Sequence, residues 1–188
     1  MNTPEDIISA FEAASERLLQ FRMARRRQHD PSEPFIVEAH IRLKQAEYFL
    51  KKFRELDLQQ ASDDDFVHAT AGGGLGTQIH DVGDVIKAHG EAFYYFAFRA
   101  RDALAAIPGV DLRFEAIGVR NVRNHMVEHP DKGPGVMVSW WMYDCPEGLV
   151  LAPGSEVGQA KFKDAGLYPN AQEFIQKLTT KLDRLERA

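Results

Sequence analysis

The stretch EAFYYFAFRARDALAAI, residues 91–107, constrains the fold more than any other part of the sequence. It has the composition and spacing of a helix, yet Phe93, Tyr94, Tyr95, Phe96 and Phe98 fall on almost every side of it. A helix that is apolar nearly all round needs partners nearly all round, so it belongs at the centre of a bundle or between a bundle and a second subunit. The helix is expected to run from about Asp81 to Ile107, closed by the turn PGVD.

The flanking sequence supplies those partners. Ile7, Ile8, Phe11, Ala14, Leu18, Leu19 and Phe21 recur at three- and four-residue intervals and predict a helix from Pro4 to about Gln28, ended by HDPSEP. A second helix is expected from about Glu33 to Leu58, with Ile36, Val37, Ala39, Leu43, Ala46, Leu50 and Phe53 inward. Asp111 is a candidate N-cap for a fourth, Leu112 to about His129, where Pro130 disfavours helical geometry in the residue before it. The last segment, NAQEFIQKLTTKLDRLERA, carries the stripe Phe174, Leu178, Leu182 and Leu185. Between the fourth and fifth helices GVMVSWWMYDCPEGLVLAPG turns β-branched and aromatic about DCPEG, the pattern of a β-hairpin at about 135–152. The expected fold is therefore mostly α: a single domain over 1–188, about five helices up and down, with one appended hairpin.

Residues at about 69–80 read as a glycine-rich loop. Its GGGLG lacks the Lys-Ser/Thr of a phosphate-binding P-loop and the spacing of a dinucleotide fingerprint, so a connector is expected. The single cysteine, Cys145, excludes an internal disulfide framework and any multi-cysteine zinc site. The N-terminus is acidic and amphipathic where a secretory signal would be basic and then apolar, and there is no uninterrupted apolar run long enough for a bilayer. A cytoplasmic protein without membrane association is expected. A formal charge of -5 argues against indiscriminate nucleic-acid binding, but Arg22, Arg25, Arg26 and Arg27 concentrate positive charge at the end of the first helix. They are candidate RNA phosphate contacts, or cations placed against the negative end of the helix dipole.

The chemistry-bearing stretch is GVRNVRNHMVEHP, residues 118–130. His125 and His129 lie one helical turn apart, and HMVEH matches an inverted zincin pattern with Glu128 as the base. That reading needs a further acidic ligand far downstream, and too little chain follows His129, so no metal and no cofactor is expected. On a helical wheel of about 100° per residue, Val119, Val122 and Met126 define an apolar arc that includes His129, with Arg123 on one rim, His125 on the other and Arg120 directed away.

The run Arg123-Asn124 followed by four residues and His129 resembles the signature of the HEPN superfamily, an Arg, a polar residue and a His near the end of a helix in an all-α bundle. Arg120 to His125 is a second, overlapping match. The resemblance implies a homodimer that brings two motifs together, RNA cleavage without metal, a defence, toxin or stress setting, and an antitoxin or nucleotidyltransferase partner. It assigns Arg123, Asn124 and His129 as catalytic, with His125 and Arg120 as helpers. A histidine titrating near neutrality can take the proton from a 2'-hydroxyl or give one to the leaving 5'-oxygen, and an arginine can hold the phosphate by two hydrogen bonds. The expected products are a 2',3'-cyclic phosphate and a 5'-hydroxyl. The alternative is a non-catalytic helical protein that binds a protein partner through its aromatic third helix and the SWWMY strand.

Overall fold

A computed structural model describes residues 3–62, 76–123, 140–143, 150–153 and 167–186. Within them the chain is mostly helical: α1 (Pro4–Arg27), α2 (Glu33–Ser62), α3 (Gly76–Ala105), α4 (Ile117–Arg123) and α5 (Leu167–Leu185). Trp140–Tyr143 (β1) and Val150–Pro153 (β2) are two short extended stretches paired antiparallel, Trp140 opposite Pro153.

Local signals account for the ends of α1 and the start of α2. Thr3 accepts a hydrogen bond from the Asp6 amide while the Asp6 carboxylate accepts one from the Thr3 amide, a reciprocal capping box, and Pro4 occupies the first turn, where its missing N–H costs nothing. At the other end the amides of His29 and Asp30 bond back to the carbonyls of Arg26 and Arg25, and His29 takes the left-handed conformation, φ 53°, that such a helix ending requires. Asp30 then accepts from the amide and hydroxyl of Ser32, which leads into α2. These contacts and the Arg25 guanidinium hold the Asp30 carboxyl down at about 2.

The contacts give the helix directions. Glu5–Arg54, Glu12–Lys51 and Arg22–Glu33 run α2 against α1, while Phe49 meets both Phe96 and His89 of α3 as Arg42 meets Phe96, which turns the chain again. Phe11–Phe174 and Arg17–Asp183 lay α5 parallel to α1. The core between them is Ile7, Phe11, Ala14 and Leu18 of α1, Ile36, Leu43, Leu50 and Phe53 of α2, Phe93, Tyr94 and Leu104 of α3, and the whole expected stripe of α5. Fully burying side chains of this size contributes about 1.5–3 kcal/mol each before the loss of conformational entropy is counted.

Three expected boundaries are corrected. The fourth helix starts at Ile117, not Leu112. Residues 110–116 alternate instead, with Leu112 and Ala116 buried, Val110 and Phe114 half-buried, and Asp111, Arg113 and Glu115 exposed. A two-residue period suits a non-helical strip laid across the bundle, since a helix would turn half of those apolar groups outward. Asp111 accepts from the Arg113 amide and so stabilises this strip rather than capping a helix. The third helix starts at Gly76, inside the stretch read as a loop, because Ile79, Val82, Val85 and Ile86 already carry the helical period. The fifth starts at Leu167, ahead of Asn170, since Pro169 is tolerated in a first turn. The rest of the glycine-rich stretch, Cys145 and the remainder of the expected hairpin lie outside the described residues.

Candidate functional site

The end of α4 is held from two directions. Val119 is buried against the core, and Gly118 backs directly onto the side chain of Asn170 in α5. The Asn170 amide in turn donates to the hydroxyl of the wholly buried Tyr94, 3.0 Å away, and burial pushes that phenol well above its ordinary range. A side chain at position 118 would occupy the space of the Asn170 carboxamide, so the glycine is needed for α4 to approach α5 this closely. Tyr94, Asn170 and Gly118 thus clasp α3, α5 and α4 together, and the clasp sets where the next turn of α4 emerges.

That turn carries Arg123. Its guanidinium carbon stands 4.1 Å from the centroid of the Phe98 ring, and Arg101 stands 4.0 Å from the same centroid. Cations this close to an aromatic face are attracted by the ring quadrupole, the more so where water is excluded. Arg123 is only 9% exposed. Its proton affinity is drawn below the ordinary arginine range, chiefly by desolvation; Asp102 opposes this, Arg99 and Arg101 add to it and Tyr95 opposes it. The guanidinium nonetheless stays charged at every physiological pH.

Arg120 lies one turn before Arg123 and is engaged elsewhere. It pairs with Glu115 at 3.0 Å with 42% of its side chain exposed, and Glu115 also stands 3.9 Å from Arg101. Arg101 bonds its neighbour Asp102 at 2.7 Å. Arg99 is exposed and makes no ion pair among the described residues. Arg99, Arg101, Arg120 and Arg123 thus gather near Phe98, and among the described residues Asp102 and Glu115 are the carboxylates that pair with Arg101 and Arg120 there. Asn124, His125 and His129 lie outside the described residues, so Arg123 and Arg120 are the two members of the expected site that can be placed.

The basic end of α1 is partly neutralised. Arg25 pairs with Asp30 at 2.7 Å and Arg22 approaches Glu33 at 4.0 Å, while Arg26 and Arg27 are exposed in the last turn. Among the described residues no three His, Cys, Asp or Glu side chains come together as a metal site, and no described helix is long and apolar enough to cross a membrane.

Phe98, Arg99 and Arg101 were not among the residues singled out for chemistry. The signal is present in FRAR, where two arginines follow an aromatic run whose spacing reads as core. Neither a family model, nor a curated protein, nor a solved structure matches this chain.

Proposed function

We propose that this chain is a HEPN-like protein that acts on RNA as a metal-independent endoribonuclease. The observation that carries the reading is a pre-ordered guanidinium: Arg123, held over the Phe98 ring beside Arg101 at the described end of α4. An arginine held this way loses little freedom on taking a phosphate, and its charge acts with reduced screening. In the proposed reaction Arg123 grips the scissile phosphate and offsets the charge that builds on the phosphorane. Asn124 orients it, and His129, six residues beyond the described end of α4, accepts the 2'-hydroxyl proton. A second proton must reach the 5'-oxygen. His125, or His129 of a second copy, supplies it, which is the reason to expect a homodimer with opposed motifs. Arg120 steers the anion from outside. The β1–β2 ladder belongs, in this reading, to a hairpin over about 135–152 that borders the site. The cytoplasm, a toxin, defence or stress role, and an antitoxin or nucleotidyltransferase partner complete the proposal.

The test compares single-stranded RNA cleavage by the parent, His129→Ala, Arg123→Lys and Arg123→Ala, with thermal unfolding measured alongside. Loss of cleavage in His129→Ala and in Arg123→Lys, with unfolding temperature retained, is the expected outcome, because lysine keeps the charge but not the two-bond grip. Full activity in His129→Ala would sink the reading.

A second reading has an observation of its own. Tyr48, Phe49, Phe96 and Tyr95 form a chain of ring contacts at centroid separations of 5.2–5.6 Å across α2 and α3, and Tyr48 and Ile41 on α2 are 54% and 42% exposed. A non-catalytic protein that docks a partner on this face would use Arg123 only to anchor α4. It predicts that Tyr48→Ala abolishes partner capture and that neither His129→Ala nor Arg123→Lys changes anything.

A further inference from the structure

The arc of α3 next to Arg123 carries more than the two stacked guanidiniums. At about 100° per residue, Phe98, Asp102, Tyr95 and Arg99 fall within one arc of roughly 100°, with Phe98 and its partner Arg123 on one edge and Arg99 on the other. Tyr95 lies between them, half-buried, its ring set edge-on to Phe96 at 5.2 Å and so constrained in orientation. Arg99 is one turn beyond Tyr95, exposed and without an ion pair among the described residues, whereas Arg101 and Arg120 are both engaged by carboxylates. The two edges of the arc are roughly 8 Å apart on a helix of ordinary diameter, a span one nucleotide can bridge. An aromatic ring flanked on both sides by arginines is the arrangement that receives an unpaired base and the phosphates either side of it.

We propose that Tyr95 and Arg99 form a second nucleotide subsite beside Arg123, in which an unpaired base stacks on Tyr95 and the neighbouring phosphate is held by Arg99, so that the ligand is single-stranded RNA. The inference rests on the reading of Arg123 as a phosphate-binding residue. The electrostatic surroundings of Arg123 agree with the placement: both Tyr95 and Arg99 are near enough to bear on its proton affinity. A paired base cannot present its face to Tyr95, so duplex RNA is excluded from this subsite. Asp102, in the middle of the arc but bonded to Arg101, keeps the central ground from being uniformly attractive and confines the phosphates to the two edges.

The experiment measures binding of a fluorescein-labelled single-stranded oligoribonucleotide to the full chain carrying His129→Ala, so that binding is read without turnover, across a range of salt. Added to that parent, Arg99→Ala should weaken binding about tenfold at low salt and reduce the salt slope by about one. Tyr95→Ala should weaken it by a factor of about ten with the slope unchanged, and Tyr95→Phe should restore it, since stacking needs the ring and not the hydroxyl. An unlabelled duplex of the same sequence should compete poorly. If the parent binds and Arg99→Ala and Tyr95→Ala bind as the parent does, the subsite is refuted while Arg123 keeps its role. If the parent binds but Arg123→Ala, checked for an intact fold by circular dichroism, binds as well, the reading beneath it fails. A parent that does not bind refutes both.

Discussion

Replacing Gly118 by alanine is a change of one methyl group with a calculable conflict. The new carbon would lie 3.0 Å from Nδ2 of Asn170 and closer still to the rest of its carboxamide. That carboxamide is buried and is bonded to Tyr94, so it cannot swing into solvent without giving up the bond. Losing the bond with the groups still buried costs about 1–3 kcal/mol, and forcing a methyl into a packed interface about as much again. Against this, alanine is favoured over glycine within a helix by about 1 kcal/mol. The net expectation is a loss near 3 kcal/mol, a fall in Tm of about 6–12 °C for a chain this size. Thermal and urea unfolding followed by circular dichroism measure it. A double-mutant cycle isolates the cause, because in an Asn170→Ala background the obstacle is gone and Gly118→Ala should become neutral or stabilising by up to about 1 kcal/mol. The coupling between the two sites should be at least about 3 kcal/mol. If Gly118→Ala costs the same in both backgrounds, or nothing in the parent, the clasp is not what holds α4.

Other changes carry expectations of the same kind. Glu47→Ala removes the acceptor of the buried Ser15 hydroxyl and the partner of Lys44 and Lys51, and should cost about 1–3 kcal/mol in urea unfolding, much of it recovered when Ser15→Ala is added. The two lysines hold the Glu47 carboxyl below its ordinary 4.5 although burial pushes it upward, so its contribution is complete above the unfolded value and is lost as pH falls through the lower folded one. The parent should therefore lose stability faster than Glu47→Gln as pH drops below about 4.5, and equal slopes would contradict the assignment. His29→Gly relieves a left-handed conformation at the end of α1 and should stabilise by about 0.5–1 kcal/mol, whereas His29→Val should destabilise. Phe98→Leu keeps the apolar volume but removes the ring beneath Arg101 and Arg123; unfolding should change by less than about 1.5 kcal/mol while RNA cleavage falls sharply, and unchanged cleavage would count against pre-ordering.

The helices that bury one continuous stripe were legible in the sequence. Ile36, Leu43, Leu50 and Phe53 in α2, and Phe174, Leu178, Leu182 and Leu185 in α5, recur with the helical period because these positions face the same core. The strip over 110–116 departs from the expected helix because seven residues alternating inward and outward sit between two helices, where Asp111 has the chemistry of an N-cap. Its two-residue period was visible and would have decided the matter. The clasp was not legible. Tyr94, Gly118 and Asn170 come from three helices, and nothing local marks a glycine as the place where an asparagine from another helix must fit. The same holds for Phe98, since stacking of Arg101 and Arg123 on one ring depends on how α4 crosses α3. The motif at 123–129 could be read as a pattern, and the structure adds the setting of its first residue: a buried guanidinium held over the Phe98 ring.

The measurement that bears most directly on the proposed activity is the chemistry of the cut ends. The purified chain is incubated with single-stranded RNA in EDTA, beside His129→Ala, and the product termini are identified by mass. The proposal predicts cleavage by the parent alone, leaving a 2',3'-cyclic phosphate and a 5'-hydroxyl, since the 2'-oxygen is the nucleophile and no metal takes part. Products with a 5'-phosphate, or RNA left intact by the parent, would contradict it.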